Sequence, residues 1–327
     1  MSRPDVLIIG AGMAGLTAAH RLVDTCNVIV VDKGRGVGGR LATRRIGDAT
    51  LDHGAQFITT HTPQFAQELG RLIDAGDVTT WFRGRAGSDG VPDADGHPRY
   101  RGVVSMNAIA KSLAVGLDVR TASLVTSLAP DGDRWGVMLE DGAVQTADAV
   151  LATAPVPQTL ALLANGNVDL ATADATALSA VTYDPCIALM ATLDGPSGLP
   201  FPGAVDPEGE PIDWIADNAL KGISAVPAVT IHATPTFSRD NWDAPNEVIV
   251  PVLLDAAALA SPAMPESVQI QRWRFARPSV EHPERFLRVQ GHPPFLFAGD
   301  AFGGAKVEGA ALSGAAAATE LLRLLVD

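Results

Sequence analysis

The stretch DVLIIGAGMAGLTAAHRL, Asp5 to Leu22, decides the fold. Its apolar run from Val6 to Ile9 predicts a short buried strand. Gly10, Gly12 and Gly15 predict a tight turn, and the alanine-rich remainder predicts a helix. A second apolar run, NVIVVD, ends on Asp32, so the segment reads as a βαβ unit. Neither strand alternates with polar residues, which is what a parallel sheet covered on both faces requires.

The three glycines form G-x-G-x-x-G between strand and helix. Gly10 allows the sharp turn, Gly12 lets backbone approach a pyrophosphate, and Gly15 lets the helix pack on the strand. The helix N-terminus offers free N–H groups to the anion. Asp32 is placed to accept from ribose hydroxyls and to repel a 2′-phosphate, which leaves NAD or FAD as the dinucleotide. Directly after it comes DKGRGVGGRLATRR, Asp32 to Arg45, too rich in glycine for a regular helix and too charged for a buried strand. An extended anion should lie along it.

Composition narrows the function classes. Of the 327 residues 47% are hydrophobic and 19% charged, a folded globular balance. The formal net charge of −13 argues against duplex nucleic acid or an anionic membrane surface as partner. Two cysteines, Cys26 and Cys186, support neither a disulfide framework nor a thiolate metal site, and no histidine spacing suits a metal. The apolar opening is broken by glycines and carries Asp5 where a secretory signal has a basic flank, so it reads as structure. No apolar run reaches about 18 residues, so no membrane span is predicted. The expected location is the cytoplasm, and the expected assembly a monomer or weak homodimer.

Further along, QFAQELGRLIDA and VVSMNAIAKSLAVG have helical spacing, the second starting at Ser105. Between them TTWFRGRAGSDGVPDADGHPRYRG reads as a hairpin leaving the main domain. The segment from Asp118 to Pro155 alternates around the turns PDGD and EDGA as a three-stranded meander does, then returns to a buried strand, Ala149 to Thr153. After Pro155 prolines accumulate, with strand candidates CIALMATL, AVTIHATP and VIVPVLL. The chain closes on a strand, a glycine loop and an Ala-rich helix whose positions Ala311, Ala315, Ala318, Leu322 and Leu325 fall on one face. This gives an α/β, Rossmann-type dinucleotide-binding domain with a parallel sheet and β-meander, over 1–80, 101–155 and 286–327. A second, sheet-rich α+β substrate domain covers 81–100 and 156–285.

Asp32 followed by Gly38-Gly39-Arg40 and Thr43 resembles the flavin-containing amine oxidase superfamily, whose members carry an acidic residue, a short linker and then G-G-R-x-x-[ST]. The resemblance implies FAD, bound noncovalently, since no cysteine precedes the last glycine region. It implies that Gly10, Gly12, Met13, Ala14, Gly15, Asp32, Lys33, Gly39 and Arg40 hold the cofactor, with Arg40 on the diphosphate. Arg44 is expected to contact it too, and Val125 to meet adenine through its backbone. FAGDAFGGAKVEGAALSG looks like the superfamily's last FAD motif, with Gly299 and Asp300 on ribityl or diphosphate. Gly309 and Ala310 open a helix whose positive end can face flavin N1 and O2.

DKGRGVGGRLATRR, DHGAQFIT and GDAFGGAKVEG, in order across nearly the whole chain, resemble the renalase-like family. That places Gly54, Ala55, Gln56 and Phe57 by the isoalloxazine, and nominates Gln56, Trp214, Asn218, His232 and Trp273 for the catalytic pocket. Asp217 stands where many relatives have a basic residue, and Lys306 where bacterial relatives have Arg. The implied activity is oxidation of dihydronicotinamide dinucleotides reduced at ring position 2 or 6 to NAD(P)+, with O2 giving hydrogen peroxide. Hydride transfer to flavin needs orientation and an apolar pocket, with no obligatory proton abstraction. Alternatives are a flavin amine oxidase, a desaturase-like dehydrogenase, and a non-catalytic flavin-binding redox sensor. Only two tyrosines occur, Tyr100 and Tyr183, which supports an amine-binding aromatic cage poorly. Arg83, Arg85, Arg99 and Arg101 read either as a solvated hairpin or as a grip for substrate phosphates.

Overall fold

Strand Asp5–Ile9 is buried from its second residue onward and lies inside a six-stranded sheet. The computed structural model describes residues 3–92, 96–257 and 264–326. The sheet order is Leu287–Arg288, Phe295–Phe297, Ala149–Ala152, Asp5–Ile9, Asn27–Val31, Asp118–Arg120. Val6 faces Ala149 on one side and Val28 on the other, both in parallel register, so the expected parallel sheet is present. Leu287–Arg288 closes one edge antiparallel.

Two helices cover this sheet, Met13–Leu22 and Lys306–Leu325. The second buries mostly small residues, among them Ala311, Ala315, Ala317 and Ala318. Each removes little apolar area, so the helix is held by close packing more than by area buried. The contact is tightest at Gly314, where a Cβ would lie 2.1 Å from the Ala14 carbonyl oxygen. The meander is present as Val125–Asp131, Arg134–Leu139 and Val144–Ala147, antiparallel throughout. Its Trp135 is fully buried against Phe295, with ring centroids 5.0 Å apart.

By its internal contacts the chain forms two units, one of residues 1–39, 110–183 and 277–327, the other of 40–109 and 184–276. These bounds differ from those read off the sequence. Residues 40–80 and 101–109 pack in the second unit, where Ala49 and Leu51 share a core with Met190 and Ala228. Helices Val156–Asn165 and Thr172–Ser179 belong to the first, through Val156, Leu163 and Leu178.

The second unit is built on a sheet ordered Ala204–Val205, Ile212–Asp217, Ala228–Ala233, Thr182–Leu193, Pro265–Val280. Ile212–Asp217 and Thr182–Leu193 both run antiparallel to Ala228–Ala233. The hairpin expected around residues 81–100 is Val78–Arg83 with Pro98–Gly102, and residues 93–95 lie outside the described residues. VIVPVLL is not a strand. It lies in the helix Asn246–Ala256, which buries Ile249 and Leu253 and half-buries Val250 and Leu254, leaving Val248 and Val252 exposed. That is a face of period 3.6, and a run this short does not distinguish the two periods by composition. No helix among the described residues is long and apolar enough to cross a membrane.

Gly314→Val forces the two covering helices apart and is expected to lower Tm by about 2–5 °C, from an overpacking cost of roughly 1–3 kcal/mol. Gly36→Ala, at a position with nothing within 4 Å of an added Cβ, should leave Tm unchanged.

Candidate functional site

In the first unit, the glycine turn is fixed by contacts that exclude side chains. Gly10 has φ +109°, and a Cβ there would meet Thr153 Oγ1 at 2.5 Å. A Cβ at Gly15 would lie 2.0 Å from the Gly10 carbonyl oxygen. Gly12 is different: the nearest atom to its would-be Cβ is the Gly38 carbonyl oxygen, 3.9 Å away, so no close contact crowds it. Helix Met13–Leu22 begins on Gly12 with no side-chain cap, which leaves its first N–H groups for an anion. The uncrowded glycine and the uncapped terminus fit a diphosphate.

Asp32 locks the turn to the loop that follows. Its carboxylate accepts from the backbone N–H of Ala11 and of Gly34, each at 2.7 Å. A carboxylate has further lone pairs, so ribose hydroxyls fit beside these two donors. The Asp32 carbonyl also accepts from Ser123 N–H, two residues before Val125. Gly39 lies 3.6 Å from Gly12 by the same Cβ test, and Lys33 reaches Gln158 at 3.2 Å on the surface.

Thr153 joins this turn to the C-terminal loop. Its hydroxyl donates to the carbonyls of Ile9 and Gly10, and its own carbonyl oxygen lies 3.6 Å from a Cβ built on Gly299. Gly299 N–H is held by the Ser313 hydroxyl at 2.8 Å, and that hydroxyl donates to the Arg285 carbonyl. Asp300 and Glu308 are both buried at 8% exposure, and Gly309 and Ala310 sit in the first turn of the last helix. Ala305, which precedes that helix, provides no side-chain cap.

The second unit holds a buried polar cluster on the DHGAQF segment. Asp52 and Lys221 are both 0% exposed, with Nζ and Oδ2 2.8 Å apart. Asp52 Oδ1 also accepts from the Thr43 hydroxyl at 2.6 Å and from Met106 N–H at 3.0 Å. Burial pushes the Lys221 ammonium down and Asp52 opposes that shift. Whichever atom carries the proton, the pair has no net charge. Lys221 also lies 4.9 Å from the Trp81 ring centroid and 3.5 Å from Gln56 Oε1. Gln56 is turned onto its own backbone, its Nε2 donating to the carbonyls of Asp52 and Gly54. Gly54 must be glycine, since a Cβ would lie 2.0 Å from the Arg40 carbonyl oxygen.

Beside this cluster runs an aromatic wall. His53 is 4% exposed, and its carbonyl accepts from Trp273 Nε1 at 2.9 Å and from His232 Nε2 at 3.2 Å. The His53 and Trp273 rings are stacked, 5.5 Å between centroids. His232 is the cross-strand partner of Trp214, and Trp214 packs on Phe57 at 5.3 Å. Burial pulls both His53 and His232 down to about 4, with Arg44 adding to the shift of His53, so both rings are neutral near pH 7. His53 Nδ1 and Trp214 Nε1 are buried without a hydrogen-bond partner among the described residues.

Several nominated residues take positions their sequence context did not reveal. Asn218 is 0% exposed, and its carboxamide accepts from Asp52 N–H and donates to Thr230 Oγ1, so it braces Asp52 instead of lining a pocket wall. Arg44 is held by the carboxamides of Gln269 and Gln271, and Arg40 donates to the carbonyls of Phe275 and Ala276. Asp217 is buried and accepts from Ala219 and Leu220 N–H, which shapes the turn that presents Lys221. Three of the hairpin arginines donate to main-chain carbonyls nearby, Arg83 to Gly96 O, Arg99 to His97 O and Arg101 to Gly102 O, and Arg85 pairs with Asp206. Lys221, His53 and Thr153 were not singled out from the sequence. For Lys221 the sequence carries no signal, since a lysine after ADNAL reads as a solvated turn.

Residues 8–74 match an NAD(P)-binding Rossmann-like domain and residues 80–322 match the flavin containing amine oxidoreductase family. The chain belongs to the flavin containing amine oxidoreductase family, and it is an FAD-dependent oxidoreductase. Renalase of Mus musculus is 24% identical over 322 residues, covering 91% of this chain and 92% of its own. Putrescine oxidase of Kocuria rosea is 33% identical over 121 residues, 37% of this chain and 24% of its own. A solved structure of wild-type putrescine oxidase bound to putrescine shares the fold, with TM-score 0.71 and 17% identity over 98% of this chain and 99% of that one.

Two outcomes are expected from this geometry. Lys221→Met or Asp52→Asn alone, by leaving one buried partner uncompensated, should destabilise by about 3–5 kcal/mol, and the double variant should recover part of that loss in chemical denaturation. The two histidines set a pH dependence. Between about 4 and the ordinary 6.5 the unfolded chain binds protons that the folded rings do not. Stability is therefore complete above about pH 6.5 and declines toward pH 4, by up to about 3 kcal/mol per ring, as denaturation series across that range would measure.

Proposed function

We propose that this chain oxidises dihydronicotinamide dinucleotides reduced at ring position 2 or 6: dihydroNAD(P), O2 and a proton give NAD(P)+ and hydrogen peroxide. Bound FAD would supply the two-electron redox chemistry that links the donor to O2. Gly12, the N–H groups that follow it and Asp32 would hold the diphosphate and ribose of that cofactor. Gln56 and the wall of Phe57, Trp214, His232 and Trp273 would orient the donor ring and exclude water.

The observation that carries this reading is the charge state of the second unit. Its buried carboxylates among the described residues are Asp52 and Asp217. Asp52 is matched by Lys221, and Asp217 by backbone N–H groups and the Ser197 hydroxyl. Arg101, half-buried, adds a positive charge that acts on both members of the Asp52–Lys221 pair. A buried ammonium needs a paired anion. The cluster has none left to give, whereas a dihydropyridine ring is uncharged and brings no such demand. The likeness to renalase over nearly all of both chains supports the same choice.

Amine oxidation is the competing reading, favoured by the likeness to putrescine oxidase. Anaerobic stopped-flow mixing of the holoenzyme with separated dihydronicotinamide isomers and with a panel of amines, putrescine included, decides between them. Rapid flavin bleaching by an isomer and none by the amines is expected. Bleaching by amines alone would overturn the proposal.

A further inference from the structure

We infer that one end of the second unit is a self-complementary face on which a second copy of this chain docks about a two-fold axis. Its apolar part is Phe201 at 76% exposure, Val104 at 60%, Leu220 and Val103 at 40% and Ile73 at 39%. Close contacts join the segments that carry them. Gly203 follows Phe201 by two residues, and a Cβ on it would lie 2.7 Å from the Leu220 Cβ. A Cβ on Gly222 would lie 2.9 Å from Arg101 Nη2, which ties the Leu220 turn to the end of the hairpin. Arg101 Nη1 donates to the Val103 carbonyl at 2.8 Å, and Val103 N–H donates to the Asp77 carbonyl at 2.9 Å. Asp77 lies just past the helix Pro63–Asp74, whose last turn holds Ile73. Fourteen large apolar side chains are exposed among the described residues, and five of them fall on these joined segments, so they form a patch where scattered single residues are the rule.

Two charges identify the occupant. The Arg101 guanidinium bonds to the carbonyls of Gly102 and Val103, and no carboxylate pairs with it among the described residues. The carboxylate whose charge acts on it, Asp52, is held by Lys221. Asp74, next to Ile73, is exposed and has no ion pair among the described residues. The face thus carries an unmatched cation and an unmatched anion together with its apolar side chains. In an isologous contact residue i meets residue j of the copy, and j meets i. Arg101 of each copy then meets Asp74 of the other, and both charges are matched at once. Each chain carries a net charge of −13, so two copies associate only through a face that is not itself acidic, as this one is not. At these exposures the five side chains offer on the order of 500 Å² of surface, less than the about 800 Å² that one partner gives to a standard interface. The dimer is therefore one that dissociates on dilution.

Sedimentation velocity of the holoenzyme over a range from about 1 to about 200 μM tests this, and a reversible monomer–dimer equilibrium is expected within that range. Asp74→Arg sets like charges against each other at both contacts and should weaken dimerisation about tenfold or more; Arg101→Asp should do the same. An equimolar mixture of these two variants should dimerise about as tightly as the unsubstituted chain, because one protomer of each kind restores opposite charges at both contacts. Phe201→Ser, which changes no charge, should also weaken dimerisation about tenfold. A chain that stays monomeric throughout the range would overturn the proposal. So would a dimer that tolerates Asp74→Arg or Phe201→Ser, since another face would then hold it. A mixture of the two folded charge variants that dimerises no better than either alone would overturn it as well. If Arg101→Asp does not fold, Asp74→Arg and Phe201→Ser decide: weakening by both upholds the face, and retention by either removes it.

Discussion

A lysine and an aspartate with no exposed surface, 169 residues apart in sequence and 2.8 Å apart in space, organise the second unit. Taking both charges out of water costs several kcal/mol per ion, and only near-complete coordination offsets it. Asp52 receives the ammonium, a hydroxyl and a backbone N–H, while its own main chain is held by Asn218 and Gln56. The segment from Asp52 to Phe57 is therefore fixed from both sides. The His53 carbonyl, which accepts from Trp273 and His232, follows Asp52 directly in that segment. The same pairing removes the unbalanced charge that a cationic substrate would require.

The first unit solves a different problem. A dinucleotide must approach backbone closely, and the chain permits this by leaving out side chains where two main-chain segments or a ligand converge. Gly10 and Gly15 are in close contact with each other and with Thr153, whereas the nearest atom to a Cβ on Gly12 is 3.9 Å away. Thr153 converts two distant glycine loops into one surface by bonding to Ile9 and Gly10 beside Gly299. Asp32 then ties the turn to the loop after the second strand. Rigid backbone with open N–H groups suits a group whose charge is spread over a diphosphate.

What could be read in advance was chemistry carried by neighbouring residues. The glycine turn, Asp32, the meander and the closing helix each declare themselves within about a dozen positions, because turn geometry and burial periodicity are local. The buried pair does not. Lys221 sits in a turn whose composition is that of a solvated loop, and only the folded chain brings Asp52 to it. Asn218 was legible as part of a family pattern, but its burial follows from the same long-range contact. VIVPVLL failed for another reason: a short run that is apolar at every position but Pro251 satisfies both strand and helix, and its neighbours in the sheet core decide which. The orphan nitrogens of His53 and Trp214 are likewise invisible without the packing that buries them.

In the reaction proposed, an uncharged second-unit cluster serves hydride transfer from an uncharged donor. Its most direct test is the pH profile of the anaerobic rate constant for flavin reduction at saturating substrate. With His53 and His232 both near 4 and Lys221 matched by Asp52, a constant rate between about pH 6 and about pH 9 is expected. A rate that climbs through an ionisation in that interval, as deprotonation of a bound amine or of an enzymic base would give, would contradict it.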